Sequence, residues 1–439
     1  MSTVTSIRIR AYNVGFGDCF LMTFFYAGQP IGDRHVLIDC GSTEFPKKSG
    51  PGSIRAVAEK IRDHTRSTEH PGGKLHMIVV SHRHADHMSG FAGSAGEIIK
   101  TLQPDLVVQP WTEDPKIATD AVAPAPQAGA RRPSAARRAV GARLGDMQAV
   151  ASQVSRAGLR LETAAGVPKS LAAVIHFLGE TNIKNPDAVA NLIAMSGEHV
   201  YAQFGTKLPI APFLPGVRID VLGPPTLKEW PQIAELATDD AEEYWHLSAR
   251  AAELGAASRR PTALFPKARK ASVPQGARWL VPKIDRMNAN ELLSIVRSID
   301  DALNNTSLIL LFDVGGKLLL FSGDAQIENW RYALFGPHKD RVRRRLAKAD
   351  LYKVGHHGSL NATPKTIWNA FERVGDPNAD GTLKTIVSTL SSKHGTAENN
   401  SEVPRGKLMA ELRTKSQLVQ TNKILSKTKF WKDVEIDLT

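Results

Sequence analysis

The chain has 439 residues, 42% of them hydrophobic, and 56 Lys and Arg against 44 Asp and Glu give it a formal net charge of +12 at pH 7. That apolar content is enough for one large core or two moderate ones and points to a soluble globular protein. The first residues, MSTVTSIRIRAY, lack the basic-then-apolar pattern of an export signal, and no apolar run approaches the ~20 residues of a membrane span. With Cys19 and Cys40 the only cysteines, the expectation is a cytoplasmic, non-membrane protein with free buried thiols and no disulfide framework.

Residues 7–12 alternate apolar and polar side chains, and residues 19–26 and 35–40 are further β-rich runs split by Gly and Pro, so the chain is expected to open with an antiparallel meander. Residues 52–66 set Ile54, Val57, Ala58 and Ile61 at helical spacing. A strand, Met77-Ile78-Val79-Val80, comes next, and then a turn marked by Gly90 and Gly93, with Ser94 as N-cap of a helix to about Leu102. Residues 111–158 are rich in Ala, Pro and Arg and read as an insertion on the core fold.

Residues 218–222 form another strand, stopped by Gly223-Pro224-Pro225. Residues 229–300 read as a second, largely helical insertion, interrupted by a basic, Pro-containing stretch at 259–281. Residues 308–314 and 317–321, joined by Gly315-Gly316, predict a β-hairpin. Residues 351–354 and 385–389 are two more core strands, with a helix opened between them by Thr363 as N-cap and Pro364 at its first position. Strand runs grouped mainly in meanders suit a sandwich of two sheets flanked by helices better than a doubly wound parallel sheet. The expected organisation is one α/β domain over residues 1–439 carrying the two insertions.

The most informative stretch follows Val80: His82, Arg83, His84, Ala85, Asp86 and His87 pack three imidazoles and a carboxylate into six residues. A strand handing over to a tight turn can aim His82 and His84 into one pocket and Asp86 and His87 into another beside it. Imidazole nitrogen with carboxylate oxygen suits zinc at a catalytic site.

Four other strand ends finish in usable groups. Asp39 closes Val36-Leu37-Ile38, before Cys40-Gly41. Asp324 follows the very apolar Leu318 to Phe321 run at Ser322-Gly323, where a carboxylate shared by two cations would bridge them. Val354-Gly355 leads into His356-His357-Gly358-Ser359, where either imidazole can take a metal and the other a substrate oxygen. Ser388-Thr389-Leu390 leads to His394, which reads as a surface histidine at the pocket rim.

Taken in order, these termini resemble the metallo-β-lactamase superfamily, whose hallmark is a His-x-His-x-Asp-His run after a core strand. The likeness is greatest to the branch containing the metal-dependent domain of bacterial DNA-uptake channel proteins, through Asn13-Val14-Gly15-Phe16-Gly17-Asp18, Leu37-Ile38-Asp39, Ser322-Gly323-Asp324 and Val354-Gly355-His356-His357-Gly358-Ser359. The resemblance implies a four-layer αββα sandwich with two insertions. It implies His82 and His84 on a first metal, Asp86 and His87 on a second, Asp324 as the bridge, and His356 or His357 completing the second site. Asp39 would orient a ligand loop, and Asp18 would lie near the pocket floor or stabilise its glycine turn. Most members supply a further histidine between the first cluster and the bridging aspartate. His176, His199 and His246 fall in that interval without the usual Gly and Thr neighbours, and Val403-Pro404 stands where the DNA-uptake branch tends to carry His-Pro.

The function expected is hydrolysis by a metal-bound hydroxide, with two zinc ions or manganese in their place, and Asp86, His356 and His357 as the catalytic candidates. A phosphodiesterase or nuclease is preferred. Its basic residues are clustered, at Arg131, Arg132, Arg137, Arg138 and Arg143, at Arg259, Arg260, Lys267, Arg269 and Lys270, and at Arg341, Arg343, Arg344, Arg345 and Lys348. Such clusters attract nucleic acid or another phosphate-bearing partner, and solvated helix faces look the same. The alternatives are a small-molecule ester, lactone or thioester hydrolase, and a metal-stabilised interaction protein of a defence or uptake system.

Overall fold

The structure is a computed structural model that describes residues 3–27, 32–115, 123–124, 185–195, 197–230, 303–359, 363–390 and 402–438. Most of both expected insertions, the first two basic clusters, His176, His246 and His394 lie outside the described residues.

The described strands form two sheets. In the first, β1 (Thr3–Tyr12), β2 (Cys19–Ala27) and β3 (Arg34–Cys40) are antiparallel, as the alternating sequence led one to expect. From β3 the pairing turns parallel through β4 (Met77–Val79), β5 (Leu106–Pro110) and β6 (Glu198–Ala202). In the second sheet β7 (Val217–Gly223), β8 (Ile309–Val314) and β9 (Lys317–Phe321) are antiparallel, and β10 (Leu351–Lys353), β11 (Lys384–Val387) and β12 (Gln417–Gln420) continue in parallel. A mainly meandering arrangement is therefore corrected: each sheet has three parallel pairings. Parallel neighbours need crossovers, and strands as short as β4 and β10 carry no readable alternation.

The last strand, β13 (Trp431–Asp437), pairs with β1 at the edge of the first sheet and was not expected from sequence. Its polar positions are legible in retrospect, since Asp433 and Glu435 accept from Arg10 and Arg8 on the neighbouring strand at 2.7 and 2.6 Å.

Period-two alternation sorts the core. Ile7, Ile9, Phe20, Met22, Val36, Ile38, Met77 and Val79 from the first sheet share one buried cluster with Leu310, Phe312, Leu319, Phe321, Leu351 and Ile386 from the second. Their chain neighbours turn the other way. Leu21, Leu37, Ile78 and Val107 pack with α1 (Ile54–His64) and α3 (Gly93–Lys100), between which the chain runs through β4 and the single turn α2 (Ala85–Met88). A fourth helix, α4 (Pro186–Ile193), adds Ala188 and Leu192 to that side. Leu311, Leu320, Tyr352 and Val387 pack with α5 (Ile327–Phe335), α6 (Lys339–Ala347), α7 (Lys365–Ala370) and α8 (Gly406–Lys415). No described helix is long and apolar enough to cross a membrane.

Two helix starts differ from expectation. Ser94 lies inside α3, which Ala92 precedes without a side-chain cap. Pro364 is the N-cap of α7, and the Thr363 hydroxyl is 3.0 Å from the Tyr352 hydroxyl instead of capping the helix. Tertiary pairing has taken the capping group in that case. Both cysteines are free and buried, as expected.

Candidate metal centre

The candidate residues meet where strands of both sheets end. β3 closes on Asp39, β4 runs through Ser81 into the histidine stretch, β9 leads to Asp324, and β10 leads to a turn at His356–Gly358. Two glycines make the approach possible. A Cβ on Gly41 would lie 2.3 Å from the backbone carbon of Asp86, and one on Gly17, whose φ is +152°, would lie 2.7 Å from the Asp86 carbonyl oxygen. The two loops before β2 and after β3 therefore press directly on the backbone of α2.

Asp39, with φ +54°, spends its carboxylate on neighbours. It accepts from the backbone N–H of Ser81 at 2.6 Å and from the Ser81 hydroxyl at 2.7 Å, and its Oδ2 is 2.8 Å from Nδ1 of His87. That contact fixes the ring of His87 so that Nε2 turns toward Asp324. His82 is similarly placed, with Nδ1 3.1 Å from the Ser81 hydroxyl and Nε2 3.0 Å from Nδ1 of His84. Arg83 points elsewhere and is held by both oxygens of Glu113 at 2.8 and 2.6 Å.

From the other sheet, His357 donates from Nδ1 to the carbonyl oxygen of Ser388 at 3.0 Å, which leaves Nε2 2.9 Å from Oδ2 of Asp86. Phe16 covers the ring, with centroids 4.4 Å apart. Oδ2 of Asp324 lies 3.1 Å from Nε2 of His87 and 3.6 Å from Nε2 of His357. His356 and His357 both have positive φ, +42° and +53°, yet only His357 enters the cluster. His356 is half-buried beside it, its N–H donating to Oδ1 of Asp324 at 3.0 Å and its Nε2 3.5 Å from Nδ2 of Asn304.

Three overlapping donor groups result among the described residues: His82, His84 and Asp86; Asp86, His87, Asp324 and His357; and Asp18, Asp39 and His87, with the donor atoms of each within 4.8 Å of one another. Asp86 is common to the first two, and the third is the set of carboxylates behind the His87 ring. His199, on β6, belongs to none of these groups, and its Nε2 lies 3.4 Å from the carbonyl oxygen of Met195. Asp18 is fully buried, joins its N–H to the Asp86 carbonyl oxygen at 2.9 Å, and ion-pairs with Lys353.

Electrostatics make the site a sink for positive charge. Burial opposes a charge on His87, but Asp324, Asp39, Asp86 and Asp18 overcome it and push its pKa well above the ordinary imidazole value. His357 is raised against burial in the same way, by Asp324 and by its hydrogen bond to Asp86. Burial works against ionised Asp86 and Asp324, and the surrounding imidazoles nevertheless hold both carboxyls below their ordinary range. His82 goes the other way, pushed down by burial and by His87 and His84.

Compared with protein-family models and with curated proteins, the chain finds no match. The case for a metal centre therefore stands on its donors. Oδ1 of Asp86 is buried without a hydrogen bond, and Oδ2 of Asp324 and Nε2 of His87 meet at 3.1 Å without good hydrogen-bond geometry, an arrangement that is costly for buried polar atoms and that a cation would relieve. The outward nitrogens of His87 and His357 are each engaged by an oxygen acceptor, as in histidines that bind metal through the opposite nitrogen. These buried His and Asp groups can hold a metal ion.

Sequence reasoning missed Ser81, Lys353 and Phe16. Ser81 had a legible sign, as the residue between strand and histidine run. Lys353 had another, as a charge within the apolar stretch Leu351-Tyr352-Lys353-Val354.

Proposed function

We propose that the protein is a metal-dependent hydrolase with a four-layer αββα sandwich of the metallo-β-lactamase type, acting on a phosphodiester. The observation that carries this is the convergence on the His82–His87 stretch of Asp324 and His357, both more than two hundred residues away, in one buried group of imidazole and carboxylate donors. His82, His84 and Asp86 would hold one cation, and Asp86, His87, Asp324 and His357 another, with the resemblance assigning Asp324 the bridge. A bound divalent cation lowers the pKa of water toward neutrality and stabilises anionic oxygens.

The chain's own residues do the rest. Asp39 and the Ser388 carbonyl lock the rings of His87 and His357, so little reorganisation is left for the reaction. His356, beside the donor groups and half-buried, is the imidazole we assign to give the leaving group its proton. A polyanionic substrate is supported by the net charge of +12 and by exposed Arg341 and Arg344 on α6 and Lys348 just after it. The other two arginines of that cluster are tied into the fold: Arg343 donates to the Leu334 carbonyl at 2.7 Å and Arg345 to Asp313 at 2.8 Å.

The test is hydrolysis of bis(p-nitrophenyl) phosphate by the full chain before chelation, after chelation, and after Zn²⁺ or Mn²⁺ is restored. Turnover lost with the metal and regained with it is expected. Unchanged turnover after complete metal removal would refute the reading, and turnover confined to lactones or thioesters would replace the phosphodiester with a small ester.

A further inference from the structure

Lys353 is the feature the proposed chemistry leaves over. It ends β10, is 1% exposed, and lies in a strand whose other residues, Leu351 and Tyr352, are wholly buried in apolar clusters. An ammonium in such a place has to be compensated. Its partners are the Asp18 carboxylate, the Gly323 carbonyl oxygen at 3.2 Å and Oδ1 of Asp324 at 3.6 Å.

We propose that Lys353 is a positioning residue, a built-in cation that fixes one edge of Asp324 so that the other edge faces the metal-binding nitrogens. The proposal rests on the reading of the site as a divalent-cation centre. Oδ1 of Asp324 is engaged by the His356 N–H at 3.0 Å and approached by Lys353, whereas Oδ2 looks toward Nε2 of His87 and Nε2 of His357. The lysine acts across the two sheets. Asp18, its ion-pair partner, belongs to the first sheet's loop and hydrogen-bonds through its N–H to the Asp86 carbonyl, while Lys353 and Asp324 belong to the second. The Asp18–Lys353 pair therefore sets the donors of α2 and of the loop after β9 in register. Replacing a buried ion pair by apolar groups is often neutral for stability, so the pair's effect is to be read in cation binding.

The experiment is Zn²⁺ and Mn²⁺ binding to the full chain, by titration against a competing chelator, in the wild type, in the double variant Lys353→Met with Asp18→Asn, and in Asp18→Asn alone. The melting temperature in EDTA reports the fold, and the absorption spectrum of the Co²⁺-loaded protein reports donor geometry. Removing both charges together avoids stranding a buried carboxylate. The expected result is a cation affinity lower by roughly 10–100-fold with an altered Co²⁺ spectrum, while the metal-free fold survives. Asp18→Asn alone is expected to weaken binding too, because the ammonium is then drawn onto Asp324; it decides the matter if the double variant does not fold. Wild-type affinity and spectrum in a folded double variant, or in Asp18→Asn, would reduce Lys353 to a structural ion pair and overturn the proposal. A wild-type chain that binds no divalent cation would instead remove the metal reading itself.

Discussion

Oδ2 of Asp39 sits 2.8 Å from Nδ1 of His87, and the same carboxylate takes both the N–H and the hydroxyl of Ser81. One side chain thus holds the end of β4 and the ring orientation of a donor histidine. Asp39→Asn keeps the shape and loses the charge that sets the tautomer. Cation affinity is expected to fall by about 10–100-fold, the usual loss for a partner of this kind. Chelator competition measures it, and an unchanged affinity would mean that Asp39 serves the turn alone.

The adjacent histidines separate by role. His357 enters the donor group through Nε2, whereas His356 touches Asp324 through its backbone N–H. His357→Ala is expected to weaken cation binding and abolish phosphodiester turnover. His356→Ala should lower kcat by about 10²–10⁴-fold, the range for a lost general acid, with cation affinity within about twofold of wild type. Parallel kcat and metal titrations distinguish the two, and a reversed pattern would exchange the assignments.

Gly41 couples backbone packing to the site. A methyl there would lie 2.3 Å from the Asp86 carbon and 2.4 Å from the His87 nitrogen, so Gly41→Ala has to push α2 away. Overpacking of this kind costs typically 1–3 kcal/mol. Urea denaturation should show that loss together with weaker cation binding. A variant as stable as wild type, with its affinity intact, would show that the loops are not in firm contact.

Much of this was legible in the chain. The antiparallel strands β1 to β3 and the β8–β9 hairpin announce themselves because one face of each alternates or a Gly-Gly turn joins them, and the histidine run announces itself by density. The parallel pairing beyond β3 and β9 was not legible, since Met77-Ile78-Val79 and Leu351-Tyr352-Lys353 are buried on both faces and show no period. Which of His356 and His357 turns inward depends on two positive φ angles and on a carbonyl at Ser388, information held in the tertiary structure. Lys353 was missed because a lysine in a strand ordinarily reads as an outward-facing edge residue.

Acid should weaken the fold through His35. Burial first, and then nearby Arg10, Arg34, His64 and His70, push its pKa down from 6.5 to about 4, so it is neutral when folded. Its Nδ1 is 3.0 Å from the Thr23 hydroxyl. The unfolded chain takes up the proton first, so the contribution is fully present above pH 6.5, is lost as pH falls from 6.5 to about 4, and changes little below that. The loss corresponds to about 3 kcal/mol. Denaturation midpoints across this window should show it, and His35→Gln should flatten the slope. A wild-type profile that is level from pH 6.5 to 4 would contradict a buried neutral imidazole.

The metal content of the purified full chain, by elemental analysis after gel filtration, compared with that of Asp86→Ala, tests the centre most directly. Asp86 is the carboxylate shared by the group with His82 and His84 and the group with Asp324 and His357. Wild-type protein is expected to retain about two divalent ions per chain, and folded Asp86→Ala, verified by circular dichroism, to lose them. Folded wild-type protein that takes up no divalent metal, or Asp86→Ala that binds as much as wild type, would contradict a metal centre at the junction of the two sheets.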